Sequence, residues 1–186
     1  MIGWDHSEIQ IAEAGVGESL GLHSIIEGRL VNFWQRDLRR ADELHQFDLA
    51  NDQLKLVDAQ YQSPEVKSRL FDVEELWFAA RDGTRVPITL LYKKGAKLEE
   101  RPVFVSAYGA YGLTRPPRYT PSLLPLLDRG FLVANVHVRG GGELGPEWHE
   151  AGRNKKKIKG LRDLADAIDA LQKNGIGDPE KFIIRG

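Results

Sequence analysis

The sequence predicts an α/β fold with a mainly parallel sheet, preceded by an all-β segment. Two observations carry this. Short β-prone runs joined by polar turns fill the first seventy residues, and beyond about Val73 a hairpin leads into apolar runs that alternate with helical periodicity. The change of grammar falls near Ser63-Pro64, so residues 1–70 and 71–186 read as two units.

In the first unit, Leu30-Val31-Asn32-Phe33-Trp34-Gln35 is β-prone and Arg39 to Asp42 forms a turn. Leu44 to Leu49 then alternates apolar and polar, as a half-buried strand does, and Asn51-Asp52 turns the chain into Gln53 to Val57. Strands spaced this closely suit a sandwich, a barrel or a propeller blade.

In the second unit, Leu76 to Ala80 and Val86 to Tyr92 flank the hairpin turn Asp82-Gly83. A charged loop leads to the strand Pro102 to Ala107, then to a short helix with Leu123, Leu124, Leu126 and Leu127 on one side, and to the strand Phe131 to Val136. Leu161, Leu164, Ala165, Ile168 and Leu171 recur at helical spacing before Gly175, and Lys181 to Arg185 makes a last strand.

Composition narrows the function. Formal net charge is −1, so no global field attracts nucleic acid or an anionic membrane. The chain has no cysteine, which excludes disulfides, thiolate metal sites and a cysteine nucleophile and fits a cytoplasmic setting. Met1 to His6 lacks a signal-peptide pattern, and no apolar run is long enough to span a bilayer.

Three stretches carry more specific information: Arg81-Asp82-Gly83-Thr84-Arg85-Val86-Pro87, Tyr108-Gly109-Ala110-Tyr111-Gly112, and Asn135-Val136-His137-Val138-Arg139-Gly140-Gly141-Gly142-Glu143-Leu144-Gly145, with Trp148-His149 close behind. Through them residues 70–186 resemble the catalytic domain of the prolyl oligopeptidase family of serine peptidases, and most of all its oligopeptidase B branch. The earlier strands look more weakly like the end of that family's β-propeller. The resemblance implies the first half of an α/β-hydrolase sheet, a Ser-His-Asp triad acting on short peptides, and no cofactor or metal. It also implies that Tyr108 donates its hydroxyl to the oxyanion and that Tyr111 lines the pocket for the residue preceding the cut bond.

In such a fold the nucleophile stands on a turn between a strand and a helix, in a G-x-S-x-G pattern. Lys181 to Gly186 is a strand aimed at that turn, so the expectation is a chain that stops just before the serine. The acid and base lie outside it as well. On its own it is then inactive, and it depends on a polypeptide carrying the rest of the domain or is poorly soluble. Gly17-Glu18-Ser19-Leu20-Gly21 does match the pattern, but it lies in the all-β stretch, upstream of Tyr108, and is discounted.

The run from Arg139 to Gly145 reads as architecture, with Arg139 and Glu143 paired across the loop. It lacks the spacing of a phosphate-binding loop. The five histidines show no metal-ligand spacing, and Lys155-Lys156-Lys157 with Lys159 reads as a solvated basic run ahead of a helix bearing Asp163, Asp166 and Asp169. Two rivals remain: a non-catalytic binding module, and another acyl hydrolase of the same fold, such as an esterase or an aminopeptidase.

Overall fold

The computed structural model describes residues 12–59 and 70–186. The boundary at Ser63-Pro64 and the N-terminal reading at Met1 to His6 lie outside the described residues. Strands β1 (Glu18–Ile26), β2 (Leu30–Asp37), β3 (Glu43–Asp48) and β4 (Gln53–Ala59) form an antiparallel meander in that order. Three of these strands were legible as such; β1 was not. Ser19 lies within β1, opposite Arg36 of β2, so the Gly17–Gly21 match is a strand and not a nucleophile turn.

The second sheet has β5 (Phe71–Ala79), β6 (Arg85–Lys93), β7 (Val103–Ala107), β8 (Leu132–Val136) and β9 (Phe182–Arg185). Their spatial order is β5-β6-β8-β7-β9. β8, β7 and β9 are mutually parallel, whereas β5 runs antiparallel to β6 and β6 to β8. The sheet is therefore mixed, because the opening hairpin inserts its second strand directly beside β8. β9 is parallel as expected and stands at the outer edge of the described strands, with Ile183 and Ile184 exposed.

Side-chain alternation splits the sheet into two faces. One carries Val86, Ile88 and Leu90 of β6, Val103 and Val105 of β7, and Leu132, Ala134 and Val136 of β8, all essentially without solvent contact. Helix α3 (Lys157–Lys173) packs there through Ala167 and Leu171. The opposite face buries Phe71, Leu91 and Val133 against Leu127 of α1 (Leu124–Asp128), with Leu38 from the end of the first sheet joining them. An Arg118–Asp42 ion pair of 3.0 Å adds a polar link between the two sheets, and Asp42 also lies 3.5 Å from Arg36.

Leu164, Ile168 and Leu171 of the expected α3 stripe pack against the core, but the stripe is wider and Leu161 falls outside it. Leu161 is 57% exposed, while Gly160, Asp163, Asp166, Ala167 and Leu171 are buried. Two aspartates sit inside because each meets an arginine. Asp166 accepts from Arg81 Nη2 at 2.5 Å and from its backbone N–H at 2.8 Å. Asp163, fully buried, accepts from Arg139 Nη2 at 2.5 Å, from Nε at 2.9 Å and from the Arg139 backbone N–H at 3.0 Å.

Arg139 therefore does not pair with Glu143. Its remaining Nη1 donates to Asp82 at 2.6 Å and to Thr84 Oγ1 at 3.0 Å, so the guanidinium points inward between α3 and the hairpin turn. A second helix near this point, α2 (Pro146–Gly152), was not anticipated; Trp148 anchors it by donating Nε1 to the carbonyl of Val138 at 3.1 Å.

Removing one partner of a buried ion pair strands the other charge, at a cost of about 3–5 kcal/mol. Asp163→Ala is accordingly expected to lower the unfolding free energy by that amount in urea titration. Acid has a graded effect. Hydrogen bonds from Arg139 and Arg81 hold the Asp82 and Asp166 carboxyls below the usual range. Their stabilisation is present above the unfolded-state value of about 3.9 and is lost as pH falls through the lower folded-state values. Circular dichroism is expected to show stability falling more steeply below about pH 4 in the parent chain than in Asp166→Asn.

Candidate functional site

The carboxyl ends of parallel strands are where open α/β sheets place their ligands. Here Tyr108 leaves β7 at that edge, and the register Ser106↔Arg185 sets the end of β9 alongside it. By the pleat, Phe104 and Ser106 point away from α3, to the side that carries Val133 and Asn135 of β8. A cleft of about 470 Å³ opens on this side, its lining including Ser106, Asn135, His137, Arg115 and Arg185.

Two loops shape the edge. The segment after β7 turns through Gly109 and Tyr111, and the segment after β8 runs from Arg139 to Gly145. They are bonded to each other: the Gly112 N–H donates to the Gly140 carbonyl at 3.1 Å, and the Gly142 N–H to that of Leu113 at 3.2 Å. Such contact needs glycine. Gly140 has φ +103°, and a β-carbon there would overlap the Gly109 carbonyl; Gly109 has φ +53° and faces the Val138 side chain.

Tyr108 is 38% exposed, with the Arg115 guanidinium 4.7 Å from its ring centroid. Tyr111 is 82% exposed and holds φ +58°, a left-handed conformation that costs a bulky residue energy. The structure thus sets both tyrosines on one short loop, with Tyr108 partly exposed against the Arg115 guanidinium and the ring of Tyr111 in solvent.

His137 and Glu143, both in the stretch that follows β8, enter a polar group with Thr89. His137 Nε2 is 2.8 Å from Thr89 Oγ1, and His137 Nδ1 is 3.8 Å from Glu143 Oε1, which accepts from the Arg115 backbone N–H at 3.4 Å. Burial pushes the Glu143 carboxyl up, but the neighbouring imidazole and backbone donors outweigh it and hold the carboxyl below its ordinary range. Glu143 therefore fastens the start of the 115–123 segment, having lost Arg139 to Asp163.

A nucleophile needs exposure on a sharp turn beside a base. Among the described residues, Ser19 and Ser106 lie within strands, Ser24 hydrogen-bonds Asn32, and Ser122 is in a short helical turn. No group of three or more His, Asp or Glu among the described residues is placed to hold a metal ion. The site as described supplies two loop tyrosines and the scaffolding around them.

Gly140→Ala is expected to force the two loops apart, destabilising the chain by roughly 2 kcal/mol or more and opening 108–115 to limited proteolysis. Gly83→Ala, where the added carbon meets nothing within 4 Å, carries only the left-handed backbone cost and is the matched control.

Comparison with known proteins gives one consistent answer. Residues 117–186 match the model of the prolyl oligopeptidase family. A prolyl endopeptidase-like protein of Xenopus laevis is 44% identical over 101 residues, 54% of this chain and 14% of that protein. Dipeptidyl aminopeptidase BI of Pseudoxanthomonas mexicana is 37% identical over 115 residues, 61% of this chain and 16% of its own length. Oligopeptidase B of Trypanosoma brucei superposes with a TM-score of 0.82 at 25% identity, over 90% of this chain and 24% of that one. The chain thus spans about one sixth of the curated relatives it matches.

Proposed function

For a chain that shares its sequence pattern and fold with the prolyl oligopeptidase family of serine peptidases, we propose a role as part of a serine-type oligopeptidase acting on short peptides. The observation that carries this is the position of Tyr108, a neutral donor leaving a parallel strand beside the end of β9.

In this reading a serine hydroxyl attacks the scissile carbonyl, a histidine takes its proton, and an aspartate orients the imidazole. The carbonyl oxygen becomes an oxyanion, to which Tyr108 donates its phenolic proton in a hydrogen bond. A preorganised donor of this kind lowers the barrier by about 3–4 kcal/mol. Tyr111 lines the pocket for the residue preceding the cut bond, and its exposure leaves the ring free to meet substrate. Serine, histidine and aspartate are assigned to residues outside these 186, and the chain alone is expected to be inactive. The 1–70 and 71–186 division then corresponds to the end of a propeller and the first half of a hydrolase domain, in a cytoplasmic enzyme. Among the described residues no helix is long and apolar enough to cross a membrane.

A fluorophosphonate probe tests both halves of the reading. The 186-residue chain is expected to remain unlabelled; acylation of Ser19 or Ser106 refutes the assignment of the nucleophile elsewhere. In an assembled enzyme carrying the chain, Tyr108→Phe is expected to lower kcat by about 100- to 1000-fold with KM little changed. An unchanged kcat removes the oxyanion role. Labelling with no peptide hydrolysis, but with ester hydrolysis, favours the broader acyl-hydrolase reading.

A further inference from the structure

The turn that presents Tyr108 passes through Gly109, which is buried against Val138. Beside it lies a cleft of about 460 Å³, its lining including Gly109, Tyr111, Gly140, His149 and Lys157. Two side chains from the helical side reach the loop carbonyls. Lys157 Nζ donates to the Gly109 carbonyl at 2.6 Å. His149 Nδ1 lies 2.8 Å from the Gly140 carbonyl, and since a carbonyl only accepts, that nitrogen carries the proton.

Lys157 occupies an unfavourable place for a cation. It opens α3, where the helix dipole opposes positive charge, and the first turn holds no acidic residue to offset it. Its bond to Gly109 is charge-assisted, a stronger class than a neutral pair. The helix that carries it is itself fixed by Asp163 and Asp166, so the ammonium is mounted on an anchored element.

We propose that Lys157 is a positioning residue for Tyr108: its ammonium pins the carbonyl of the next residue, Gly109, and so fixes the direction in which the phenol leaves β7. The catalytic meaning of this clamp rests on the peptidase reading above, whereas the clamp itself does not.

The test is amide hydrogen exchange in the full chain, comparing the parent with Lys157→Met, which keeps the stem, and Lys157→Arg, which keeps a cationic donor. In Lys157→Met the loop-bonded amides of Gly112 and Leu113 are expected to exchange roughly 10- to 100-fold faster, with β6 and β8 unchanged. Lys157→Arg is expected to restore most of the protection. Unchanged exchange at 112–113 in Lys157→Met overturns the proposal, and so does a rise shared equally by β6 and β8, the mark of global loosening. In an assembled enzyme Lys157→Met is expected to lower kcat, hold KM within about twofold, and add nothing to Tyr108→Phe; additive losses overturn the positioning role. If the loop responds to Lys157 while no assembled form acylates a serine, the clamp stands and the peptidase reading fails.

Discussion

The fold of the second unit depends on one buried ion pair. The Arg139 guanidinium and backbone amide both converge on Asp163, which has no solvent contact, and the same guanidinium reaches Asp82 and Thr84. One side chain thereby joins the end of β8, the middle of α3 and the turn between β5 and β6. A buried charge is tolerable only when its partner and its remaining hydrogen bonds are all in place. Here they are. The helix cannot rotate and the hairpin cannot slide without stranding a charge, so the pair fixes geometry more than it adds net stability.

Everything at the sheet's carboxyl edge follows from that anchor. With Arg139 turned inward, Gly140 to Gly142 pass directly over the loop after β7, and the two backbones bond without intervening side chains. Glu143, left without the arginine, turns to His137 and the backbone of Arg115 instead. The loop bearing Tyr108 and Tyr111 is thus held by polar contacts on both sides, with a cleft on either flank. Precision in direction is combined with access for a ligand, which a loop packed into an apolar core does not offer.

Strand placement was legible because alternation and apolar runs are local signals. β2 to β9 and α3 all stand near their expected positions. β1 is not legible because Ile25 and Ile26 stand side by side and break the alternation begun by Leu20 and Leu22. α2 escaped although Gly145-Pro146 carries a start signal, a proline at the first helical position. Mixed strand direction, and the choice of Asp163 over Glu143 by Arg139, depend on residues far apart in the chain. No local pattern encodes them. For the same reason the buried stripe of α3 extends beyond its apolar residues to Asp163 and Asp166, since charges that find partners behave as interior residues.

The link between the two sheets has a different character from the Arg139 anchor. Asp42 is shared between Arg36 of its own sheet and Arg118 of the segment bordering the cleft. If Arg118 withdraws, the carboxylate keeps Arg36, and Arg118, already largely in water, loses little. The contact is therefore a detachable latch. Because one partner faces solvent, mobile ions screen it, and its grip weakens as ionic strength rises. Salt therefore loosens the polar part of the join between the small sheet and the rim of the cleft, while the apolar contact through Leu38 and the core beneath stay in place.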